Sequence, residues 1–198
     1  RVGEFYPLVL FALCGMLGMV YSNDLMMTFI SLEVMSLAIY VLCAIKRSDE
    51  RAVEAGFKYF ILGAFSSAIL LYGVAFVYGA TGSTGLPAIT HTLRSAGGEA
   101  PGLLALGGAL LLVGFGFKVA SVPFHMWAPD VYQGAPTAVT ALMASGVKAA
   151  SIAAFGRLVI GAMGDDAGNW SGALWWMSAA TMLVGNLAAL AQNDLKRI

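Results

Sequence analysis

Gly114-Phe115-Gly116-Phe117-Lys118-Val119-Ala120-Ser121-Val122-Pro123-Phe124-His125-Met126-Trp127-Ala128-Pro129-Asp130 is a stretch in which a long apolar helix has to stop. The apolar segment around it runs from Gly102 to Gln133. As one straight helix that segment would reach about 48 Å, well beyond a hydrocarbon core of ~30 Å. Pro123 cannot donate to the carbonyl of Val119 and its ring crowds that turn, and Pro129 and Pro136 follow closely. The spacing predicts a discontinuous helix with its break close after Lys118. Irregular backbone at membrane depth is tolerated only against protein or a water-filled cavity, so the break is a candidate for water access.

The rest of the chain has the same character. Its 198 residues are 59% hydrophobic and 11% charged, less than half the charge that solvates an ordinary soluble domain. Apolar segments run over Phe5–Tyr21, Leu25–Ile45, Gly56–Ala80, Gly102–Gln133, Thr137–Met163 and Trp170–Ala191. Each is long enough to cross a bilayer as a helix, and the strict alternation of a membrane barrel is missing. The fold expected is an all-α membrane protein, a polytopic bundle of about six transmembrane helices, one of them discontinuous. The stretches Lys46–Ala55 and Thr81–Pro101 read as loops, with the glycines of 79–85 as flexible linker and His91 and Glu99 solvated. The chain opens on Arg1 and stops directly after a hydrophobic run, and it reads as an internal piece of a longer membrane protein.

Eleven basic and eleven acidic residues cancel, which leaves no field for holding nucleic acid. Their positions say more than their sum. Six helices in sequence place Arg1, Lys46, Arg47, Arg51, Lys58, Lys196 and Arg197 on one side, against Arg94 with Asp24, Glu99, Asp165 and Asp166 on the other. By the positive-inside rule the first side faces the cytoplasm, and Trp170, Trp175 and Trp176 then fall at the opposite interface. Cys14 and Cys43 sit in apolar runs at different depths, so a disulfide is not expected.

Four charges remain inside spans: Glu33, Lys118, Lys148 and Arg157. Such residues cost about 2.5 to 3.5 kcal/mol on insertion scales and need partners or a pathway. Arg157 is near a helix end, where its stem can snorkel, and Lys58, read as starting its helix, can do the same. Glu33 has Ser36 and Tyr40 at i+3 and i+7 on its face; Lys148 has Ala141, Ala144, Ser151 and Phe155 along its own. One reading is a structural ion pair between Glu33 and a lysine. The other is a protonation chain, since burial makes a lysine able to accept and release a proton and a nearby carboxylate can switch it. A single pair would leave one lysine without a counter-charge. His125, beyond the break, either relays protons or makes a plain hydrogen bond. No metal-ligand spacing, phosphate-binding loop or nucleophile cluster is visible.

The run from Gly114 to Thr137, with Asp130-Val131-Tyr132-Gln133-Gly134-Ala135-Pro136 at its end, resembles the antiporter-like membrane subunits of respiratory complex I. Lys58-Tyr59-Phe60 with Leu62, Gly63, Ala64 and Ser66 is similar to the same family. The resemblance implies part of an inverted-repeat fold, residues 5–163 forming one five-helix repeat and 170–191 the first helix of the next. It implies a proton-translocating subunit of NADH:quinone oxidoreductase in the bacterial inner membrane, with the proton pathway on Glu33, Lys58, Lys118, His125 and Lys148. Lys118 would be the central carrier, Glu33 its modulator and Lys148 the onward step. The chain itself would carry no cofactor; NAD, quinone, FMN and iron–sulfur clusters would belong to other subunits. Its partners would be the neighbouring membrane subunits, lipid, protons and water, with no nucleic acid. The alternatives are a subunit of a multisubunit cation/proton antiporter and a non-transporting scaffold built on static ion pairs.

Overall fold

A computed structural model of the chain describes residues 3–95, 102–162 and 167–197, with backbone alone for 162 and 167–170. The regular elements among the described residues are helices: α1 (Phe5–Tyr21), α2 (Leu25–Cys43), α3 (Glu50–Thr81), α4 (Leu86–Ser95), α5 (Gly102–Val119), α6 (Ala128–Gly134), α7 (Thr137–Leu142), α8 (Lys148–Gly156) and α9 (Ala167–Leu190). π-helical turns at Met143–Val147 and Arg157–Ala162 join α7 to α8 and extend α8. Five stretches are long and apolar enough to cross a membrane, and α1 is a shorter apolar helix of 17 residues. Arg1, Glu99, Asp165, Asp166 and the side chain of Trp170 lie outside the described residues.

The core is formed where α1 to α3 and α5 to α8 meet, around Leu32, Met35, Tyr59, Leu111, Phe115 and Met143. Small residues allow the closest approaches. A Cβ on Gly73 of α3 would stand 2.9 Å from the Gly107 carbonyl of α5, and one on Gly15 of α1 would meet the backbone of α2 at 2.5 Å. In lipid, where apolar surface supplies little drive between helices, such backbone-to-backbone packing holds a bundle together. Cys14 and Cys43 are both free, Cys43 buried with its Sγ 3.7 Å from Met143 Sδ.

The discontinuous helix is present, and its stop is sharper than proline alone would make it. α5 ends in a Schellman motif: Ser121 N–H donates to the Gly116 carbonyl at 2.9 Å, and Ala120 N–H to that of Phe117 at 3.1 Å. Ala120 takes the left-handed conformation, φ +57°, that glycine usually supplies. Pro123 comes three residues later, inside a connector that leads to α6 at Ala128.

Several sequence expectations are corrected. α3 begins at Glu50, not Gly56, with Asp49 accepting from Arg51 N–H at 3.1 Å. The loop shrinks accordingly, and Lys58 lies more than two turns inside its helix. The stretch after Thr81 is no flexible linker. Gly82, φ +70°, closes α3; the Leu25 amide bonds Thr84 O and the Leu86 amide bonds Asn23 O, each at 2.8 Å; and Leu86–Ser95 is a helix that buries Leu86, Ile89 and Leu93. Three apolar residues spaced 3 and 4 apart suffice to dock a ten-residue helix, yet they are too few to raise the hydropathy of the stretch. The π-helical turn before Lys148 changes the register of its face. Ala141 and Ala144 are therefore exposed, while Ser151 is buried.

Candidate functional site: a caged lysine and a polar cavity at a broken helix

Lys118 occupies the last turn of α5, where the helix dipole favours a cation. It is 1% exposed. Its ammonium donates to Ser36 Oγ at 2.9 Å and to the Tyr40 hydroxyl at 3.2 Å, both on α2. The rings of Tyr59 and Phe117 lie 5.9 and 5.8 Å from Nζ, within cation–π range. Ser36 passes its own proton to the Leu32 carbonyl at 2.6 Å, so its oxygen is free to accept. The Trp127 indole closes the cage from the connector, donating to Phe117 O at 3.0 Å and stacking on Tyr59 at 4.5 Å.

Glu33 lies one turn before Ser36 on α2, but it does not pair with a lysine. Its carboxylate accepts from Ser67 Oγ of α3 at 2.5 Å. The static Glu33–lysine pair considered from the sequence is not formed. Lys118 is instead a buried cation held by hydroxyls and aromatic faces, with Glu33 on α2, the helix that supplies both hydroxyls.

Lys148 and His125 come together at a second place. Both line a cavity of about 340 Å³ between the connector, α6, α8 and α9, which Ala120, two residues on from Lys118, also lines. Lys148 Nζ lies 5.4 Å from the centre of the Tyr132 ring. His125 Nδ1 and the Tyr132 hydroxyl are buried without a protein partner. The cavity has room for several waters. His125 therefore sits beyond the stop of α5, inside the connector and at the cavity wall.

Lys58 belongs to a third group, at the end of the bundle that carries most of the loop bases. It pairs with Glu54 at 2.6 Å and with Asp130 at 3.2 Å, and Asp130 also takes Arg197 at 3.0 Å. Trp127, which stacks on Tyr59 of the Lys118 cage, lines the same groove as Lys58 and Asp130.

Two residues have roles that spacing did not reveal. Arg157 does not simply snorkel: it donates to Val20 O at 2.6 Å and to Asn23 Oδ1, closing the end of α1, which has no base of its own in its last turn. Thr181, unremarked in the sequence of α9, accepts from the Val122 amide at 3.0 Å and so satisfies a backbone group left open by the break. Both are matches between distant elements, and no local pattern announces them.

The chain matches, over residues 22–198, the family described as NADH:quinone oxidoreductase/Mrp antiporter, TM. It is 52% identical over 198 residues to NADH-quinone oxidoreductase subunit N of Myxococcus xanthus, covering 99% of this chain and 38% of that one. Among solved structures, respiratory complex I from Thermus thermophilus with bound aureothin aligns with a TM-score of 0.82 at 46% identity, covering 98% of this chain and 41% of that one. The Mrp complex from Dietzia aligns with the same TM-score at 32% identity, over 94% of this chain and 34% of that one. The chain spans about two fifths of the length of the curated relatives it matches.

Proposed function

The chain belongs to the NADH:quinone oxidoreductase/Mrp antiporter transmembrane family, and from that premise we propose that it is the proton-translocating part of a subunit N in a bacterial inner-membrane NADH:quinone oxidoreductase. Proton transport here is driven by electron transfer from NADH to quinone in other subunits, which hold the FMN and iron–sulfur clusters. Neighbouring membrane subunits and lipid surround it. Residues 5–163 act as one repeat, and 170–191 opens the next.

The observation that carries the reading is Lys118. A fully buried ammonium with two hydroxyl acceptors and no carboxylate in direct contact is costly to keep charged. A small electrostatic change decides whether it holds its proton. Glu33, one turn from Ser36, is placed to make that change as its own contact with Ser67 is made or lost. A proton released from Lys118 has the His125 and Lys148 cavity next along the break, and Lys58 with Asp130 stands at the basic, cytoplasmic end.

The test is Lys118→Met in the full-length subunit of the intact complex. The swap keeps the volume and removes the only ammonium in the cage. NADH oxidation should persist at least in part, while protons moved per electron fall. An unchanged ratio overturns the assignment. A second reading, a cation/proton antiporter subunit, draws on the Mrp alignment. It requires sodium-dependent transport without a redox donor.

A further inference from the structure

Two cavities flank the segment that follows α9. The outer one, about 280 Å³, is lined by Arg51, Glu54, Lys58, Asp130 and Gln133; the inner one, about 340 Å³, holds His125 and Lys148. Among the described residues Arg197 is the one side chain that lines both. Its guanidinium is held from three sides. Nη1 pairs with Asp130 Oδ1 at 3.0 Å and donates to Gln133 Oε1 at 2.7 Å, and Nε donates to Gln192 Oε1 at 2.9 Å. The backbone beneath it is anchored as well. Lys196 Nζ donates to the carbonyls of Gln133 and Ala135 at 2.9 and 2.6 Å, and Asp194 accepts from Gln133 Nε2 at 2.7 Å.

We propose that Arg197 is the gate between the outer vestibule and the inner Lys148–His125 cavity, with Asp130, Gln133 and Gln192 holding it shut. The proposal rests on the proton-translocating reading above and adds a positioning residue to it. A guanidinium stays charged throughout the physiological range, so it does not carry the transported proton. Placed where two polar cavities meet, a fixed positive charge opposes passage of hydronium and other cations, as an arginine does at a channel constriction. Its fork geometry explains why three acceptors can hold it at once. Asp130 makes the gate responsive. Its carboxylate is shared between Arg197 on one oxygen and Lys58 on the other, and Lys58 is also held by Glu54. Any change in how tightly Lys58 is held therefore reaches Arg197 through one carboxylate, and a guanidinium released from Asp130 and Gln192 joins the two cavities.

The experiment uses the complete complex, with full-length subunit variants, in liposomes without NADH. A pH step is imposed and the internal pH followed by a trapped dye. Arg197→Ala should raise passive proton flux roughly tenfold, the scale of losing one charge-assisted contact, and lower protons per electron while NADH oxidation continues. Arg197→Lys keeps the charge and should restore most of the barrier; Asp130→Asn should leak less than Arg197→Ala because both glutamines remain. Wild-type flux in Arg197→Ala overturns the gate. So does an Arg197→Lys complex as leaky as Arg197→Ala, since packing alone would then explain the effect. If Arg197→Ala fails to assemble, Gln192→Ala, which removes one acceptor of three, is read in the same assay, and wild-type flux there overturns the gate too. Lys118→Met run in parallel separates the two claims: loss of pumping there with tight Arg197 variants removes the gate alone, and full pumping in Lys118→Met removes the reading on which it rests.

Discussion

Gly63 lies on α3 where the phenol of Tyr40 crosses it. A Cβ there would overlap the Tyr40 hydroxyl oxygen and stand 2.7 Å from Cζ and 3.0 Å from Cε1. Close-packed interiors do not absorb such contacts, so Gly63→Ala forces Tyr40 to move. The ring has little freedom: it is 5% exposed, with Tyr59 edge-on at 4.8 Å and Phe60 at 5.8 Å. The atom displaced is the one that accepts from Lys118 Nζ at 3.2 Å. Overpacking costs about 1 to 3 kcal/mol and losing a hydrogen bond to a charged group about 1.5 to 3 kcal/mol. Alanine returns roughly 1 kcal/mol of helix propensity. The expected net is a loss of about 1.5 to 5 kcal/mol. Tyr40→Phe removes the hydroxyl and with it the worst of the overlap. The double variant should therefore be more stable than the sum of the singles allows, by at least ~1 kcal/mol. The assay is denaturant unfolding of the full-length subunit in detergent across the four-member cycle, with proton pumping of the assembled complex as the functional readout. A Gly63→Ala protein as stable as its parent, or strictly additive singles, would refute the argument.

Three further outcomes are expected. Ala120 holds a left-handed conformation at φ +57°. Ala120→Gly should leave the fold intact and raise stability by up to ~1 kcal/mol, while Ala120→Val should lower it by more than that, as thermal unfolding would show. Thr181→Val keeps the shape of α9 but strips the Val122 amide of its acceptor. A cost of about 1 to 3 kcal/mol and faster hydrogen exchange at Val122 should follow, with Thr181→Ser close to wild type. Asp24 caps α2 by accepting from Met26 and Met27 N–H at 2.8 and 3.0 Å and also takes the Thr84 hydroxyl at 2.6 Å. Partial burial works to raise its pKa, but the Thr84 hydroxyl and the two amides outweigh it and hold the carboxyl below its ordinary value. With the folded value depressed, its stabilisation is complete above the ordinary carboxylate pKa of ~3.9 and is lost as pH falls through the folded value. Asp24→Ala should cost ~1 kcal/mol at neutral pH and remove that part of the acid dependence, read by unfolding at pH 7 and pH 3.

Much of the architecture was legible because membrane helices announce themselves by length and apolarity, which depend on composition within one segment. The break after Lys118 was legible for the same reason, since Gly102–Gln133 was too long to stay straight and held prolines in its second half. What stayed hidden was short or cooperative. α4 needs only Leu86, Ile89 and Leu93 to dock. The Schellman stop at Ala120 uses an alanine where local rules expect glycine. The π-helical turn that re-aims the face of Lys148 has no residue signature.

By itself the sequence determined that this chain lies in a membrane, where its spans fall, which loops carry the bases, and that Lys118, Lys148 and Glu33 are charges in costly places. These follow from one-dimensional facts, because the price of a charge in hydrocarbon depends on its depth and depth follows from position along a helix. Only the tertiary structure decided the partners. Lys118 is caged by Ser36, Tyr40, Tyr59 and Phe117 instead of being paired with Glu33, Lys58 is drawn to Glu54 and Asp130, and α9 reaches back through Thr181 to the break. Hydrogen bonds act over about 3 Å and between residues as many as 137 positions apart. The choice among acceptors was therefore made by helix packing, on which local spacing has no hold.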